Sequence, residues 1–596
     1  MSDGKLAMSD LTTGAQPLEA FQKWTELAGR GQQMMMEFWS KERGTAMPAL
    51  DPLGAVATWQ AAMTAALADP KKLFALQSRY MTDAMALWQS FMVPGSTTSP
   101  VTDAPDKRFA GEAWTQAPAF DFLRQSYLLA SNYMLEAGKG LDGLDAHEKA
   151  RAQFFIKQFV HAISPSNFAL TNPEVLQKTV ETGGSNLLKG LEHMLADLAA
   201  GRMKMTDEDA FEVGRNVAIT PGKVVFENRL LQLIQYAPTT PTVHDTPLLI
   251  FPPWINKFYI LDLTAEKSFI RWAVEQGLTV FVTSWKSADA SLADVVLDNY
   301  VGEGMLTALD TVLAICGTPG AHTIGYCVAG TTLAAALAVL AARGEADKVR
   351  SATFFTAQVD MSECGELGIF IDEATLVTLD KLTAEQPWLD GRNMAMTFNL
   401  LRSNDLIWSY VVNNYMIGKD YMPFDLLYWN SDATNVPALW HRSYLTDIYR
   451  DNLLVVPGGI TVLGVPIDLS TVATPSYIQG GKEDHIAPAR SAYKLTSYFT
   501  GEKRFVLAGS GHIAGVVNPP SLHKYQYWSS ETLPDNFDAF VAGATETKGS
   551  WWPDWIAWLA PRSGAQVSAR VPGKGGANGK FAAIEDAPGR YVKERI

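Results

Sequence analysis

The sequence predicts an α/β fold: a mainly parallel sheet covered by helices on both faces, preceded by an α-helical N-terminal domain. Three observations predict it. Residues 1–215 place apolar side chains at helical spacing, whereas from residue 216 to 596 short apolar runs of strand type alternate with helical stretches. Alternation of that kind gives parallel strands joined by crossover helices that pack on the sheet faces. The third observation is residues 321–342. There a β-branched run, a tight turn of small residues and a helix rich in Ala, Leu and Val follow without a break.

Each element is justified in turn. Leu18, Phe21, Trp24 and Leu27, then Met34, Met35, Phe38 and Trp39, form apolar stripes at helical spacing. Such stripes fit a helix–helix seam, and they also fit an apolar partner surface. Residues 94–105 (PGSTTSPVTDAP) read as a flexible linker, about residues 95–106. Helical patterning resumes over residues 108–200, with cap-type residues at Ser166-Asn167 and Thr171-Asn172-Pro173. Strands are expected at residues 230–236, 247–251, 278–282, 322–325, 352–356 and 476–480. Between Asp360 and Val456 the alternation stops. Aromatic residues crowd this segment, among them Trp408, Tyr415, Trp429, Trp440 and Tyr444. It reads as an inserted cap, about residues 360–455, over the site of chemistry.

Composition narrows the function. The chain has 596 residues, 47% hydrophobic and 19% charged, with the balance of a soluble globular protein of more than one domain. A net charge of −14 argues against nucleic acid as partner, although a local basic patch can still hold an anionic substrate. Three cysteines (Cys316, Cys327, Cys364) are too few for a disulfide framework, and no apolar signal segment opens the chain, so a cytoplasmic location is expected. No spanning helix is expected. Nine scattered histidines show no metal-ligand spacing, and no phosphate loop or dinucleotide fingerprint occurs. Neither a metal nor a separate cofactor is therefore expected.

The chemistry centres on Gly325-Tyr326-Cys327-Val328-Ala329-Gly330. A nucleophile between small residues, in a turn from strand to helix, is the nucleophile elbow of α/β-hydrolases, here with Cys in the usual Ser position. Gly325 and Ala329 supply the small residues two before and two after. A nucleophile needs a base and the base an orienter, in the chain order nucleophile, acid, His. Asp484 follows the strand at 476–480. His512 follows a strand at 504–507, with a helix over 488–499 between them. His485 is an alternative base, but a His beside the acid cannot easily turn back to it and also reach Cys327, so triad geometry favours His512. His322 reads as a packed histidine. The oxyanion hole needs two backbone N–H groups: Val328 at the start of the helix, and Ile255 or a neighbour such as Asn256 in the loop 252–257. The helix N-terminus favours the thiolate of Cys327.

Cysteine itself points to a reaction. Acyl transfer from a thioester to Cys327 is close to isoenergetic, and the second transfer, to an alcohol, runs downhill to an oxygen ester. Acyl transfer from a coenzyme A thioester to an alcohol is expected, with water kept out by the aromatic insertion.

The motifs extend beyond the elbow. They include Pro252-Pro253-Trp254-Ile255-Asn256-Lys257, Phe424-Asp425-Leu426-Leu427-Tyr428-Trp429-Asn430-Ser431-Asp432 and Glu483-Asp484-His485-Ile486-Ala487-Pro488. Gly509-Ser510-Gly511-His512-Ile513-Ala514-Gly515 and Gly549-Ser550-Trp551-Trp552-Pro553 complete the set. Over roughly residues 105–596 the chain resembles the class I polyhydroxyalkanoate synthases. The resemblance implies polymerisation of (R)-3-hydroxyacyl-CoA, with 3-hydroxybutyryl the preferred unit, into polyester with release of coenzyme A. It implies Cys327 as acyl carrier, His512 as its base and Asp484 as partner of His512. It places Trp440 near an aromatic position linked to dimerisation and the cap. It further implies a homodimer at the surface of cytoplasmic polyester granules, with the growing chain and phasins among its partners. One departure is Ala329, where the family pattern has the first Gly of a pair; its methyl could crowd the helix–strand contact. A hydrolase with the same triad, and a granule-surface protein using the Trp- and Met-rich N-terminus, are the competing readings.

Overall fold

A computed structural model describes residues 30, 33–34, 54–93, 99–101, 106–575 and 580–596. Apart from Met34, the apolar stripe residues named above lie outside the described residues, as does most of the expected linker. The chain divides into two compact units, residues 1–205 with 402–422, and residues 206–401 with 423–596.

The first unit is helical. Its main helices are α1 (Ala55–Ala68), α2 (Pro70–Met92), α3 (Pro118–Lys139), α4 (Ala146–Ala162), α5 (Pro173–Thr182) and α6 (Ser185–Ala200). Local chemistry sets their ends. Pro70, Pro118 and Pro173 occupy first helical positions, where the missing N–H costs nothing. Asp145 and Glu148 form a reciprocal capping box at α4, and Gly183, in the left-handed region, ends α5.

The segment expected as a single cap insertion is divided between the two units. Residues 402–422 belong to the helical unit, and 360–401 and 423–455 to the other. The cause is an intimate contact with α6. A Cβ on Gly190 would lie 1.8 Å from the carbonyl oxygen of Tyr415, so only glycine permits this approach. Asn186 Nδ2 donates to Met416 O at 2.8 Å, and Tyr415 donates its hydroxyl to Asp197 Oδ2 at 2.6 Å. Sequence spacing carries no trace of a pairing between residues so far apart.

The second unit is built on an eleven-stranded sheet. Its strands in chain order are β1 (Gly222–Glu227), β2 (Leu231–Tyr236), β3 (Leu248–Phe251), β4 (Val280–Trp285), β5 (Ala321–Tyr326) and β6 (Val349–Phe355). They continue with β7 (Ser476–Gly481), β8 (Lys503–Ala508), β9 (Gln526–Ser529), β10 (Thr545–Lys548) and β11 (Glu585–Asp586). The spatial order is β10-β9-β8-β7-β6-β5-β3-β4-β2-β1-β11. The six strands from β8 to β4 run parallel, and antiparallel strands extend both edges. β2 to β7 are almost wholly buried, which is why they read as continuous apolar runs rather than alternating ones. β1, β9, β10 and β11 carry more polar residues and lie outside the strands expected from sequence.

Helix α7 (Val328–Ala342) follows β5 directly and is apolar all round, as a helix buried in a core must be. Helix α8 (Ala489–Tyr498) joins β7 to β8 and presents an apolar face to the sheet. The insertion leaves the sheet after β6 and returns near Asn452. Its two ends are stapled. Asn452 Nδ2 donates to Asp360 Oδ1 at 3.0 Å, and Met361 N–H donates to Asn452 Oδ1 at 2.9 Å. Tyr498 of α8 donates to the other oxygen of Asp360 at 2.6 Å. Burial would raise the carboxyl of Asp360, but the hydroxyl and N–H of Ser362, with Tyr498 and Asn452, hold it down to about 2.

Candidate active site

Strand β5 ends at Tyr326 and α7 begins at Val328, so Cys327 alone makes the turn. It sits at φ 54°, ψ −125°, a region a non-glycine residue enters at a cost of about 1–3 kcal/mol. The surroundings enforce it. A Cβ on Gly325 would lie 2.6 Å from Gly330 Cα, and one on Gly330 would lie 2.4 Å from the Cβ of Ala357. The helix can therefore leave the strand this sharply only if residues 325 and 330 are both glycine. The sequence reading assigned the steric need to 325 and 329, and the structure adds 330 to them. Ala329 is fully buried in the core cluster, and its backbone carbonyl oxygen would lie 3.0 Å from a Cβ on Gly325.

Asp484 and His512 meet as expected from chain order. His512 Nδ1 and Asp484 Oδ2 are 2.8 Å apart, and both side chains are buried. The carboxylate is itself aimed: its Oδ1 accepts the N–H groups of Ile486 and Ala487, each at 2.8 Å. That leaves Oδ2 for the imidazole and fixes the tautomer with its proton on Nδ1, so Nε2 is the nitrogen left for the nucleophile. Tyr326, beside the nucleophile, donates to the backbone carbonyl of His512 at 3.0 Å. Burial alone would push the imidazole of His512 down. Asp484 and Cys327, the latter also by a hydrogen bond, outweigh it and lift His512 to about 10. His512, not His485, is the histidine on Asp484. His322 is a packed residue, bonded to Ser351 and Ser563.

The loop 252–257 leaves β3 at the same sheet edge, since β3 is the strand next to β5. Trp254 stacks on Tyr300 at 3.9 Å with an interplanar angle of 9°, and takes Trp285 and Trp440 edge-on. Trp285 Nε1 donates to Pro252 O at 2.7 Å, and Thr434 Oγ1 donates to Trp254 O at 2.8 Å. The carbonyl of Trp254 and the N–H of Ile255 share one planar peptide and point in opposite directions. Thr434 Oγ1 lies 2.8 Å from this carbonyl and 2.7 Å from that of Ile255, so its single proton is shared between them and it tethers the peptide of the Ile255 N–H in part. Asn256 pairs with Ala433 as an antiparallel bridge. Lys257, buried, contacts Asp432 at 2.7 Å and gives its carbonyl to Trp429 Nε1 at 2.7 Å. At the other expected donor, Val328, the N–H lies in the first turn of α7, where no intrahelical acceptor exists.

Trp440 is a core residue. It is fully buried, stacked on Tyr444 at 5.0 Å and wedged against Trp254 and Tyr300, and it presents no surface to solvent. It supports the loop from below. Two residues of the insertion were given no individual role from sequence: Tyr444, named above only among the aromatics of the segment, and Tyr449. Tyr444 and Tyr449 are kept protonated first by burial, with Cys327 acting in the same direction. Their rings meet edge-on at 5.4 Å. In sequence they are two aromatics among many, and nothing local marks them. Among the described residues no group of three or more His, Cys, Asp or Glu could hold a metal ion. None of the helices formed by described residues is long and apolar enough to cross a membrane.

A mainly parallel sheet with an elbow at the end of a central strand, and a His–Asp pair at the neighbouring loops, defines an α/β-hydrolase fold with cysteine at the nucleophile position. Residues 265–519 match the family model described as alpha/beta hydrolase fold. Residues 105–273 match that of the poly-beta-hydroxybutyrate polymerase (PhaC) N-terminus. The poly(3-hydroxyalkanoate) polymerase subunit PhaC of Cupriavidus necator is 46% identical over 534 residues, covering 88% of this chain and 89% of its own. The poly(3-hydroxyalkanoate) polymerase of Methylorubrum extorquens is 46% identical over 537 residues, covering 88% of each chain. The corresponding PhaC subunit of Rhizobium etli is 43% identical, covering 89% of this chain and 84% of its own. The chain belongs to the poly(3-hydroxyalkanoate) polymerases, a family of acyltransferases.

Proposed function

We propose that this enzyme polymerises (R)-3-hydroxyacyl-CoA through a thioester on Cys327. The observation that carries this is the buried, aimed Asp484–His512 pair, electrostatically coupled to a strained cysteine in a chain of this family. His512 takes the thiol proton, and Cys327 Sγ attacks the substrate thioester carbonyl. The oxyanion forms against the N–H of Val328 and of Ile255. When the tetrahedral intermediate collapses, the bond to coenzyme A sulfur breaks, and His512 returns the proton to that leaving thiolate. The acyl group then rests on Cys327. A 3-hydroxyl group attacks it, His512 takes the hydroxyl proton, an ester bond forms and the thiolate of Cys327 is freed. Asp484 holds the imidazolium in register throughout. The sulfur nucleophile suits a thioester donor, because the first transfer exchanges one thioester for another.

The finer reading is a class I enzyme: one type of subunit, a homodimer, short acyl chains with 3-hydroxybutyryl-CoA as substrate, and work at the surface of cytoplasmic polyester granules with phasins as partners. The full burial of Trp440 supports a packing role for it and leaves a dimer contact to other residues of the insertion. The test is to supply purified protein with 3-hydroxybutyryl-CoA. Release of coenzyme A with insoluble polymer supports the reading, and release with only free 3-hydroxybutyrate overturns it. Cys327→Ala should abolish both products, and residual turnover there would move the nucleophile elsewhere.

A further inference from the structure

Gln358 lies just after β6, at the base of the insertion, and is buried. Its polar groups reach three elements. Its backbone carbonyl accepts Thr331 Oγ1 of α7 at 2.6 Å. Its Nε2 donates to the carbonyl of Ile486 at 2.9 Å, and its Oε1 accepts Ser491 Oγ of α8 at 3.1 Å. Ile486 is the residue whose N–H donates to Asp484 Oδ1. The loop that aims the Asp484 carboxylate is thus held on one side by the carboxylate and on the other by the Gln358 amide. Thr331 stands four residues after Cys327, so the same glutamine ties the helix of the nucleophile to the loop of the acid.

We infer that Gln358 is a positioning residue for the triad: by holding the Ile486 carbonyl it keeps Asp484 aimed at His512, and so keeps His512 able to take the proton of Cys327. The physical reason is the cost asymmetry of buried hydrogen bonds. With the amide gone, the part-buried Ile486 carbonyl loses its donor, and the loop relaxes to find another. That relaxation turns the N–H groups that grip Asp484 Oδ1. The inference rests on the proposed triad.

The test uses the full-length chain and two variants. Gln358→Met keeps volume and removes the donor. Ser491→Ala keeps the donor and removes only the bond to Oε1 and to Asp360 O. Two readouts apply: steady-state turnover of 3-hydroxybutyryl-CoA, and the rate at which iodoacetamide alkylates Cys327 at pH 7, followed on the Cys327 peptide by mass spectrometry. For Gln358→Met the expected result is a loss in kcat of about tenfold, the size of one buried hydrogen bond. KM should stay within twofold, and Cys327 should be alkylated severalfold more slowly, because a misaimed Asp484 leaves less imidazolium–thiolate pair. Ser491→Ala leaves Gln358 Oε1 and Asp360 O without that donor and should lower the melting temperature, but with the Ile486 carbonyl still held it should remain within about twofold of wild type in both readouts. Wild-type kcat and alkylation in Gln358→Met overturn the inference. So do equal losses in both variants accompanied by a matching fall in melting temperature, which mark a purely structural role. If the wild-type protein does not turn over the substrate, the reaction reading fails, and the alkylation contrast still decides the role of Gln358.

Discussion

At the elbow, Gly325 and Gly330 approach so closely that neither can carry a side chain, and the turn exists because atoms are missing. The loop 252–257 on the neighbouring strand exists because atoms are present. Stacked and edge-on aromatics grip Trp254, Trp285 grips the carbonyl of Pro252, and Thr434 grips those of Trp254 and Ile255. The two halves of one site should therefore fail in opposite ways. The elbow fails when a methyl is added, abruptly, because backbone cannot yield. The loop fails by degrees as individual bonds are removed.

Substitutions can break or sharpen that contrast, and the largest effect belongs to the elbow. Gly330→Ala drives a methyl to 2.4 Å from the Cβ of Ala357, with the Gly325 carbonyl oxygen at 2.9 Å. Overpacking against atoms that cannot move should cost about 3 kcal/mol or more, and leave no soluble, active protein. A variant that unfolds in denaturant at the wild-type midpoint would refute the steric account. His512→Gln comes next, with turnover lower by about 10²–10⁴-fold. It also carries a pH signature. The proton affinity of His512 is raised on folding, from an ordinary value near 6.5 to about 10. Its stabilising contribution is therefore complete below about pH 6.5 and is lost as the pH rises through about 10. Melting curves of the wild type should fall over that alkaline interval more steeply than those of His512→Gln, and parallel curves would contradict the shift. Thr434→Val removes one tether of the peptide that carries the Ile255 N–H. One net hydrogen bond, about 0.5–1.5 kcal/mol, corresponds to a loss in kcat of up to about tenfold without loss of fold. The smallest effect is expected of Ala329→Gly. Because the methyl of Ala329 is fully buried in the core cluster, glycine there should give no gain in turnover and cost about 1 kcal/mol in stability, chiefly helix propensity. Faster turnover would show that the methyl does crowd the elbow.

What could be read in the sequence follows the same division. The elbow, the acid loop and the base loop are short contiguous motifs, and each carries its chemistry in neighbouring residues. The turn at Cys327 and the approach of His512 to Asp484 were legible for that reason, as were the buried parallel strands with their unbroken apolar runs. The supports were not. Thr434 is held against Trp254, and Gln358 against Ile486, across more than a hundred intervening residues. Polar residues in such roles look like any others along the chain. The steric demand at the elbow was assigned to residue 329 because a sequence pattern counts positions from the nucleophile. In the structure a Cβ on Gly325 meets both Gly330 Cα and Ala329 O, and one on Gly330 meets the Cβ of Ala357, so residue 330 carries a demand that such a count does not reach. The divided insertion escaped notice for a similar reason: Gly190 gives no sign in sequence that it lies against Tyr415.

The staple between Asp360 and Asn452 has an implication for how such a chain tolerates change. It pins together two points 92 residues apart, so the insertion is a handle whose feet stand side by side on the sheet. Loop closure grows dearer only slowly with length, by about 0.6 kcal/mol for each doubling. A handle with pinned feet can therefore be lengthened, shortened or redecorated while the strands beneath keep their register.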